Sequence, residues 1–362
     1  MNLILTLVII FILILCLNSN SQENFDTYTR CNKYKMSKIF QDSFKKVDLH
    51  KTNKDDWGIY YPCGYNDVEE QLKKLKIDDD KKKIFAISGC DYLASKSVIW
   101  LLLESKYGRN TSKLIMPNTY VLSKNSHIRE FKSIYNSNKK YIMKKNIQNK
   151  KGIKITNNLN EILNGKKEKF VVVQEYLDDL FLLNKRKINL RIYVLIICKN
   201  ESKEIYFSNV GKCIYSNKDF NPDSTENEVH LTSLNLNLSV YDSRPYDLND
   251  LKGFIGDTNY EKLIFRIRNN ILLSVLSSKN YICNMNKLKN NTSFQLFGLD
   301  YVFTKDFYPY LLEFNKGPEM NPKDQKDYNL KLKVLVDMFY KVGIDKEPDD
   351  YSNDFNMIYK LG

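Results

Sequence analysis

"SFQLFGLDYVFTKDFYPYLLEFNKGP", residues 293–318, holds two apolar runs joined by the short segment TKDFYP. Both runs are rich in aromatic and branched residues, and so short a connection predicts neighbouring antiparallel strands. Residues two apart on a strand share a face. Glu313 and Asn315 therefore present a carboxylate and an amide oxygen together, just before the turn signal Gly317-Pro318. From this stretch alone, a solvated strand end is the plainer reading. Asp300 changes the balance, because on the first strand it falls opposite Glu313. Three oxygen donors at one end of a hairpin suit a hard cation such as Mg²⁺, which proteins hold through carboxylates and substrate phosphates. Lys144 and Lys187, on other predicted strands, are candidates to hold those phosphates.

The 362 residues are 43% hydrophobic and 27% charged, a globular composition long enough for two or three subdomains. A net charge of +13 favours an anionic partner. Lysine is spread along the chain rather than clustered, so the charge favours no one partner. Seven widely spaced cysteines without a CxxC or Cys/His pattern argue against zinc and read as buried free thiols. Three histidines leave little room for histidine chemistry, and neither a G-x-S-x-G elbow nor an H-E-x-x-H helix is present.

The uncharged apolar run at residues 3–17 is short for a spanning helix and typical of a signal-peptide core. No convincing cleavage site follows, and Arg30, Lys33 and Lys35 lie on its C-terminal side. An uncleaved membrane anchor with the rest of the chain in the cytosol is expected from that charge bias. The alternative is the secretory pathway after cleavage.

Farther along, "KIFAISGCDYLASKSVIWLLLESKYGRN" reads as strand, loop and amphipathic helix, the helix beginning near Ser95. "YIMKK…GIKI" predicts a hairpin around a basic loop, and "KFVVVQEYL" and "KINLRIYVLIIC" predict buried strands. "KEIYFSNVGKCIYS" predicts another hairpin, and residues 217–256 a long polar loop. Two helical patterns follow, around "YEKLIFRIRNNILLSVLSS" and "NLKLKVLVDMFYKVGI". The class is α+β, without a parallel βαβ array.

These segments, in this order, resemble the tubulin–tyrosine ligase-like family from about Ile84 to Gly343. "CDYLASKSVIW" and "IMPNTYVL" are similar to its entry segment, with Lys96 at a basic position. "YIMKK…KKGIKI" is similar to its phosphate-binding strand, and "VVVQEYL" to the strand entering the adenine hinge. "KINLRIYVL" is similar to K-x-D-x-R, "HLTS" to a His-Leu-Thr-Asn segment, and "FGLDYVF…YPYLLEFNKGP" to the metal-binding hairpin. The resemblance implies an ATP-grasp-like fold, with antiparallel sheets sandwiching a nucleotide site. It also implies a domain division of 1–21 (hydrophobic segment), 22–83 (polar extension), 84–345 (catalytic domain) and 346–362 (tail).

What the resemblance implies chemically is ATP- and Mg²⁺-dependent amide-bond formation through an acyl phosphate. Asp300, Glu313 and Asn315 would ligate Mg²⁺, with Arg191, Lys187 and Glu313 catalytic. Lys96, Lys144, Gln174, Glu175, Tyr176, Leu177, Lys187, Asn189, Lys212 and Thr232 would bind the nucleotide. The implied partners are a free amino acid and an acidic protein acceptor such as tubulin, with the membrane reached through the N-terminal segment, no nucleic acid, and a monomeric chain. A ligase for small peptides or metabolites and a non-catalytic relative are the alternatives, and retention of all three oxygen donors argues against the latter. Three departures stand out: Asn189 replaces the family's aspartate, Ser233 its asparagine, and "GKCI" its G-x-x-R. Ile214 thus holds an arginine's place, with Lys212 as the nearby cation.

Overall fold

Alternation along one strand organises the molecule. Arg186–Lys199 turns Ile188, Leu190, Ile192, Val194 and Ile196 into one core and Tyr193, Leu195 and Ile197 into another. Both faces of its middle are covered, which is why the segment reads as nearly continuous apolar sequence. The protein is described from a computed structural model covering residues 27–31, 35–77, 79–147, 152–224 and 226–362.

Arg186–Lys199 pairs antiparallel with Ser202–Tyr215 on one side and Thr292–Phe303 on the other. The first connection is two residues, Asn200 and Glu201, both at positive φ (48° and 68°), the backbone of a type I′ hairpin. Thr292–Phe303 is long enough for two partners along its outer edge. Its start pairs parallel with Lys83–Ile84, and its end pairs antiparallel with Pro309–Asn315. Ile59–Tyr60, Thr27–Thr29 and His50–Lys51 extend the sheet beyond Lys83–Ile84 by further parallel pairs. Phe355–Leu361 closes the opposite edge against Ser202–Tyr215. Helices Lys96–Ser112 and Asp257–Ser277 cover one face, and Lys38–Lys46 and Gln325–Lys341 the other. A second sheet runs Thr119–Val121, Phe170–Glu175, Tyr141–Lys145, Ile153–Thr156, all antiparallel.

Several expectations are corrected. The expected mixture of helices and sheets is present and consistent with an ATP-grasp-like fold, but the large sheet is not purely antiparallel, since Lys83–Ile84 and the strands beyond it pair parallel. "KEIYFSNVGKCIYS" is one strand rather than a hairpin, because a bulge opposite Tyr193 takes up residues 208–210 without reversing the chain. Residues 217–256 include two α-helices, Asn227–His230 and Leu248–Ile255. Four cysteines are paired, Cys31 with Cys63 and Cys198 with Cys283, and Cys90 and Cys213 are buried thiols. The expected membrane anchoring is also corrected: among the described residues no helix is long and apolar enough to cross a membrane. The apolar run 3–17, on which anchoring rested, lies outside the described residues.

Phe294 is fully buried and stacks on Phe85 at 4.8 Å between centroids, joining the N-terminal elements to the large sheet. Phe294→Ala should cost about 3–5 kcal/mol in denaturant unfolding. Phe265→Ala, at a position 65% exposed, should stay within about 0.5 kcal/mol.

Candidate active site

The odd-numbered face of Arg186–Lys199 changes character at its N-terminal end, where Tyr193 gives way to Arg191, Asn189 and Lys187. Pairing register sets Lys212, Arg191, Asp300 and Glu313 side by side across four adjacent strands. Arg191 donates to both oxygens of Asp300, at 2.7 and 3.3 Å, a fork-to-carboxylate contact that fixes both groups. Asn315 pairs across from Gly298. A Cβ at Gly298 would lie 2.7 Å from Pro318 and 3.1 Å from Arg191 Nη1, so glycine leaves the space that the guanidinium occupies.

Opposite this row, the second sheet contributes Lys144, whose Nζ lies 3.5 Å from the Leu312 carbonyl. Lys96, at the start of its helix, reaches Glu313 Oε2 at 3.2 Å. Asn315 Nδ2 donates to Glu313 Oε1 at 3.2 Å. Burial alone would raise the Glu313 pKa, but Lys96 and Lys144 pull it down to about 2. Asp300 moves the other way: burial pushes it up to about 6 against the pull of Arg191. The two carboxylates are thus driven apart in acidity by their surroundings. Burial lowers Lys144 to about 8, partly offset by Glu313. Burial and the nearby Lys144 lower Lys187 to about 8 as well.

Ten of the expected residues line one cleft between the sheets: Lys144, Gln174, Glu175, Tyr176, Leu177, Lys187, Asn189, Thr232, Asp300 and Glu313. Its end beyond the lysines is apolar, walled by Ile142, Ile153, Leu180 and Val302, which sequence reasoning passed over because they look like ordinary core. Gln174 Nε2 donates to Thr119 Oγ1 at 2.7 Å and Asn118 Nδ2 donates to Glu175 Oε1 at 3.0 Å, so the hinge strand is held in place from its neighbour. The Tyr176 hydroxyl lies 2.8 Å from His230 Nδ1, and His230 Nε2 lies 2.8 Å from the Ser224 carbonyl. That carbonyl can only accept, so Nε2 carries a proton, and burial lowers the His230 pKa.

Four expected residues sit elsewhere, Arg191 among them, which borders a neighbouring pocket with Lys212 and Ile214. Lys96 and Asn315 flank the cleft and border a separate polar pocket with Lys316 and Asp91. Lys212 turns away from it. Its Nζ donates to Asp327 Oδ1 at 2.7 Å and to the Tyr246 hydroxyl at 3.1 Å. No sequence signal linked Lys212 to Asp327, a partner 115 positions away on another element.

The residues present fit a magnesium nucleotide. Asp300, Glu313 and Asn315 supply a hard oxygen donor set, and two buried amines face the same space. The Asn189 side-chain oxygen is buried without a hydrogen-bond partner, an acceptor left open for a donor from a bound molecule. An apolar slot ending in buried cations and paired carboxylates, set between two sheets of an α/β protein, is chemically suited to an anionic ligand. A family model described as Tubulin-tyrosine ligase family matches residues 75–350, and the chain belongs to that family.

Among its relatives, probable tubulin polyglutamylase ttll-9 of Caenorhabditis elegans is 27% identical over 64% of this chain and 59% of its own length. Tubulin polyglutamylase TTLL6 of Homo sapiens is 23% identical over 80% of this chain and 34% of its own length. Tubulin glycylase 3B of Drosophila melanogaster is 23% identical over 58% and 30% respectively. The chain thus spans less than two thirds of each of these relatives.

Lys187 gives a test that needs no ligand. Its folded pKa of about 8 lies below the ordinary 10.5. Between those values the unfolded chain binds more protons, so this residue makes stability climb as pH rises through that window. The gap corresponds to an upper bound of roughly 3 kcal/mol. Lys187→Met should raise the melting temperature of the ligand-free protein below pH 8 and flatten the climb between pH 8 and 10. An unchanged pH profile would show the amine to be solvated.

Proposed function

We propose that the protein is an ATP-dependent ligase of the ATP-grasp type, joining a free amino acid to a carboxylate of an acidic protein acceptor such as tubulin. The observation that carries this is the pair of buried amines, Lys144 and Lys187, facing Asp300 and Glu313 across an apolar slot. Burying two cations near one another is costly unless a polyanion compensates them. Family membership and the names of the relatives support the same reading, and the positive net charge suits an acidic acceptor. The proposed catalytic unit is 84–345, with strands from both flanking segments completing its large sheet.

In this reading the adenine lies against the apolar wall and the hinge Gln174–Leu177, and Lys144 and Lys187 hold phosphate oxygens. Asp300, Glu313 and Asn315 would hold Mg²⁺, which neutralises charge on the transferring phosphoryl group. An acceptor carboxylate oxygen bonds to the γ-phosphorus as the bond to ADP breaks. The amino-acid nitrogen, having lost a proton, then bonds to the activated carbonyl carbon, and phosphate leaves. Arg191 and Lys96 offset charge at that centre, and their fixed positions mean that little reorganisation is needed. The low pKa of Glu313 keeps it anionic throughout the physiological range.

Glu313→Gln tests the assignment. In the ligand-free protein this carboxylate is offset by Lys96 and Lys144, so its loss should lower stability, by about 1–3 kcal/mol at pH 7. The sign follows from the depressed pKa: the contribution is present above the ordinary 4.5 and disappears as pH falls through about 2. Mg²⁺-dependent ATP consumption in the presence of tubulin and amino acids should fall by about 10²-fold or more. A folded variant with wild-type turnover would defeat the metal assignment.

A further inference from the structure

The two polar side chains of the hinge, Gln174 and Glu175, are anchored to one short segment, Pro117-Asn118-Thr119, where the neighbouring strand begins. Thr119 Oγ1 donates to the Pro117 carbonyl at 2.6 Å, which leaves its lone pairs to accept from Gln174 Nε2. Asn118 holds Glu175 twice. Its carbonyl accepts from the Glu175 N–H at 3.0 Å, and its Nδ2 donates to the Glu175 carboxylate at 3.0 Å. The same Nδ2 donates to the Tyr120 hydroxyl at 2.8 Å.

Arg109 sets which way the Asn118 amide faces. Its Nη1 donates to Asn118 Oδ1 at 3.0 Å and to the Thr119 carbonyl at 3.1 Å. A guanidinium has no acceptor, so the amide oxygen points at Arg109 and the amide nitrogen at Glu175. Arg109 is itself fixed from several sides. Nη2 pairs with Glu104 at 2.6 Å and Nε with Glu130 at 3.0 Å. The guanidinium carbon lies 4.7 Å from the centre of the Tyr120 ring and 5.4 Å from that of Trp100. The second Glu104 oxygen lies 3.0 Å from His127 Nε2, and His127 Nδ1 accepts from the Val121 N–H at 3.0 Å. Helix Lys96–Ser112 is thereby tied to the strand that anchors the hinge. Two carboxylates, an amide oxygen and a backbone carbonyl meet one side chain, a geometry that suits the planar fork of arginine and not the single ammonium of lysine.

We propose that Arg109 is a positioning residue for nucleotide binding, acting through Asn118 and Thr119 to hold Gln174 and Glu175 in the conformation that receives the base. The proposal rests on the ligase reading and adds to it a residue outside the cleft lining. Without Arg109 nothing dictates the orientation of the Asn118 amide. Turned over, its oxygen would face the Glu175 carboxylate, acceptor against acceptor, and the hinge would have to be ordered when the base binds, which weakens affinity. The phosphates, in the same reading, are held by Lys144 and Lys187, whose amines make no contact with this network.

The test is calorimetric titration of the wild type, Arg109→Lys, Asn118→Ala and the double variant with two probes in the presence of Mg²⁺. One probe is a non-hydrolysable ATP analogue; the other is tripolyphosphate, which has no base. Arg109→Lys keeps a cation between Glu104 and Glu130, so the fold should survive. Each single variant should bind the analogue about tenfold more weakly, the contribution of one hydrogen bond to a charged group. The double variant should be no weaker than the weaker single one, since both act along one path. Binding of tripolyphosphate should be unchanged throughout. Equal weakening of the two probes would reveal a general loosening of the cleft, and that result, unchanged analogue binding, or additive losses in the double variant would each overturn the positioning role. A wild-type protein that binds only one probe, or neither, defeats the ligase reading itself, and the positioning role with it.

Discussion

The bidentate contact between Arg191 and Asp300 is the constraint on which the rest of the site depends. It crosses the two central strands of the large sheet at the one rung where the face stops being core. An arginine buried there needs a carboxylate, and a carboxylate buried there needs a cation. Once paired, they hold Asp300 beside Glu313 and leave Glu313 to the lysines of the other sheet. The space that Gly298 leaves for the guanidinium belongs to the same solution. Function is concentrated where satisfying one charge dictates the position of the next.

The two carboxylates illustrate how placement sets chemistry. Asp300 and Glu313 are direct cross-strand neighbours, yet one is pushed toward neutrality by burial and the other held anionic by two lysines. Lys144 and Lys187 form the complementary pair, amines whose burial works against their charge. The cleft stores unfavourable electrostatics in its buried amines; under the proposed ligase reading a magnesium polyphosphate would relieve them, and the same residues would then supply both binding energy and pre-organisation.

Much of this was legible in the sequence, and the boundary of legibility is physical. The hairpin of residues 292–315 could be read because strand alternation and a short turn fix which residues face each other, so Asp300 opposite Glu313 followed directly. Lys144 and Lys187 were readable as lysines on other strands, whereas Gln174 entered only through the family resemblance. By contrast, Ile59–Tyr60 and Lys83–Ile84 are two residues each, too short to show any period. The bulge opposite Tyr193 hid a single strand behind turn-like residues. The Asp327 partner of Lys212 and the two cysteine pairs are set by tertiary contacts across long separations, which leave no local mark.

The hairpin at Asn200-Glu201 carries a consequence for the order in which the chain assembles. Its two strands are consecutive and need only a two-residue turn to meet, so their contacts are cheap in loop entropy. The third strand of the central sheet starts at Thr292, some 75 residues or more after the hairpin closes at Tyr215. During synthesis at about 5–20 residues per second, the apolar edge of Arg186–Lys199 waits several seconds without its second partner. The strand that later aligns the catalytic rung is therefore, for that interval, the segment most exposed to mispairing.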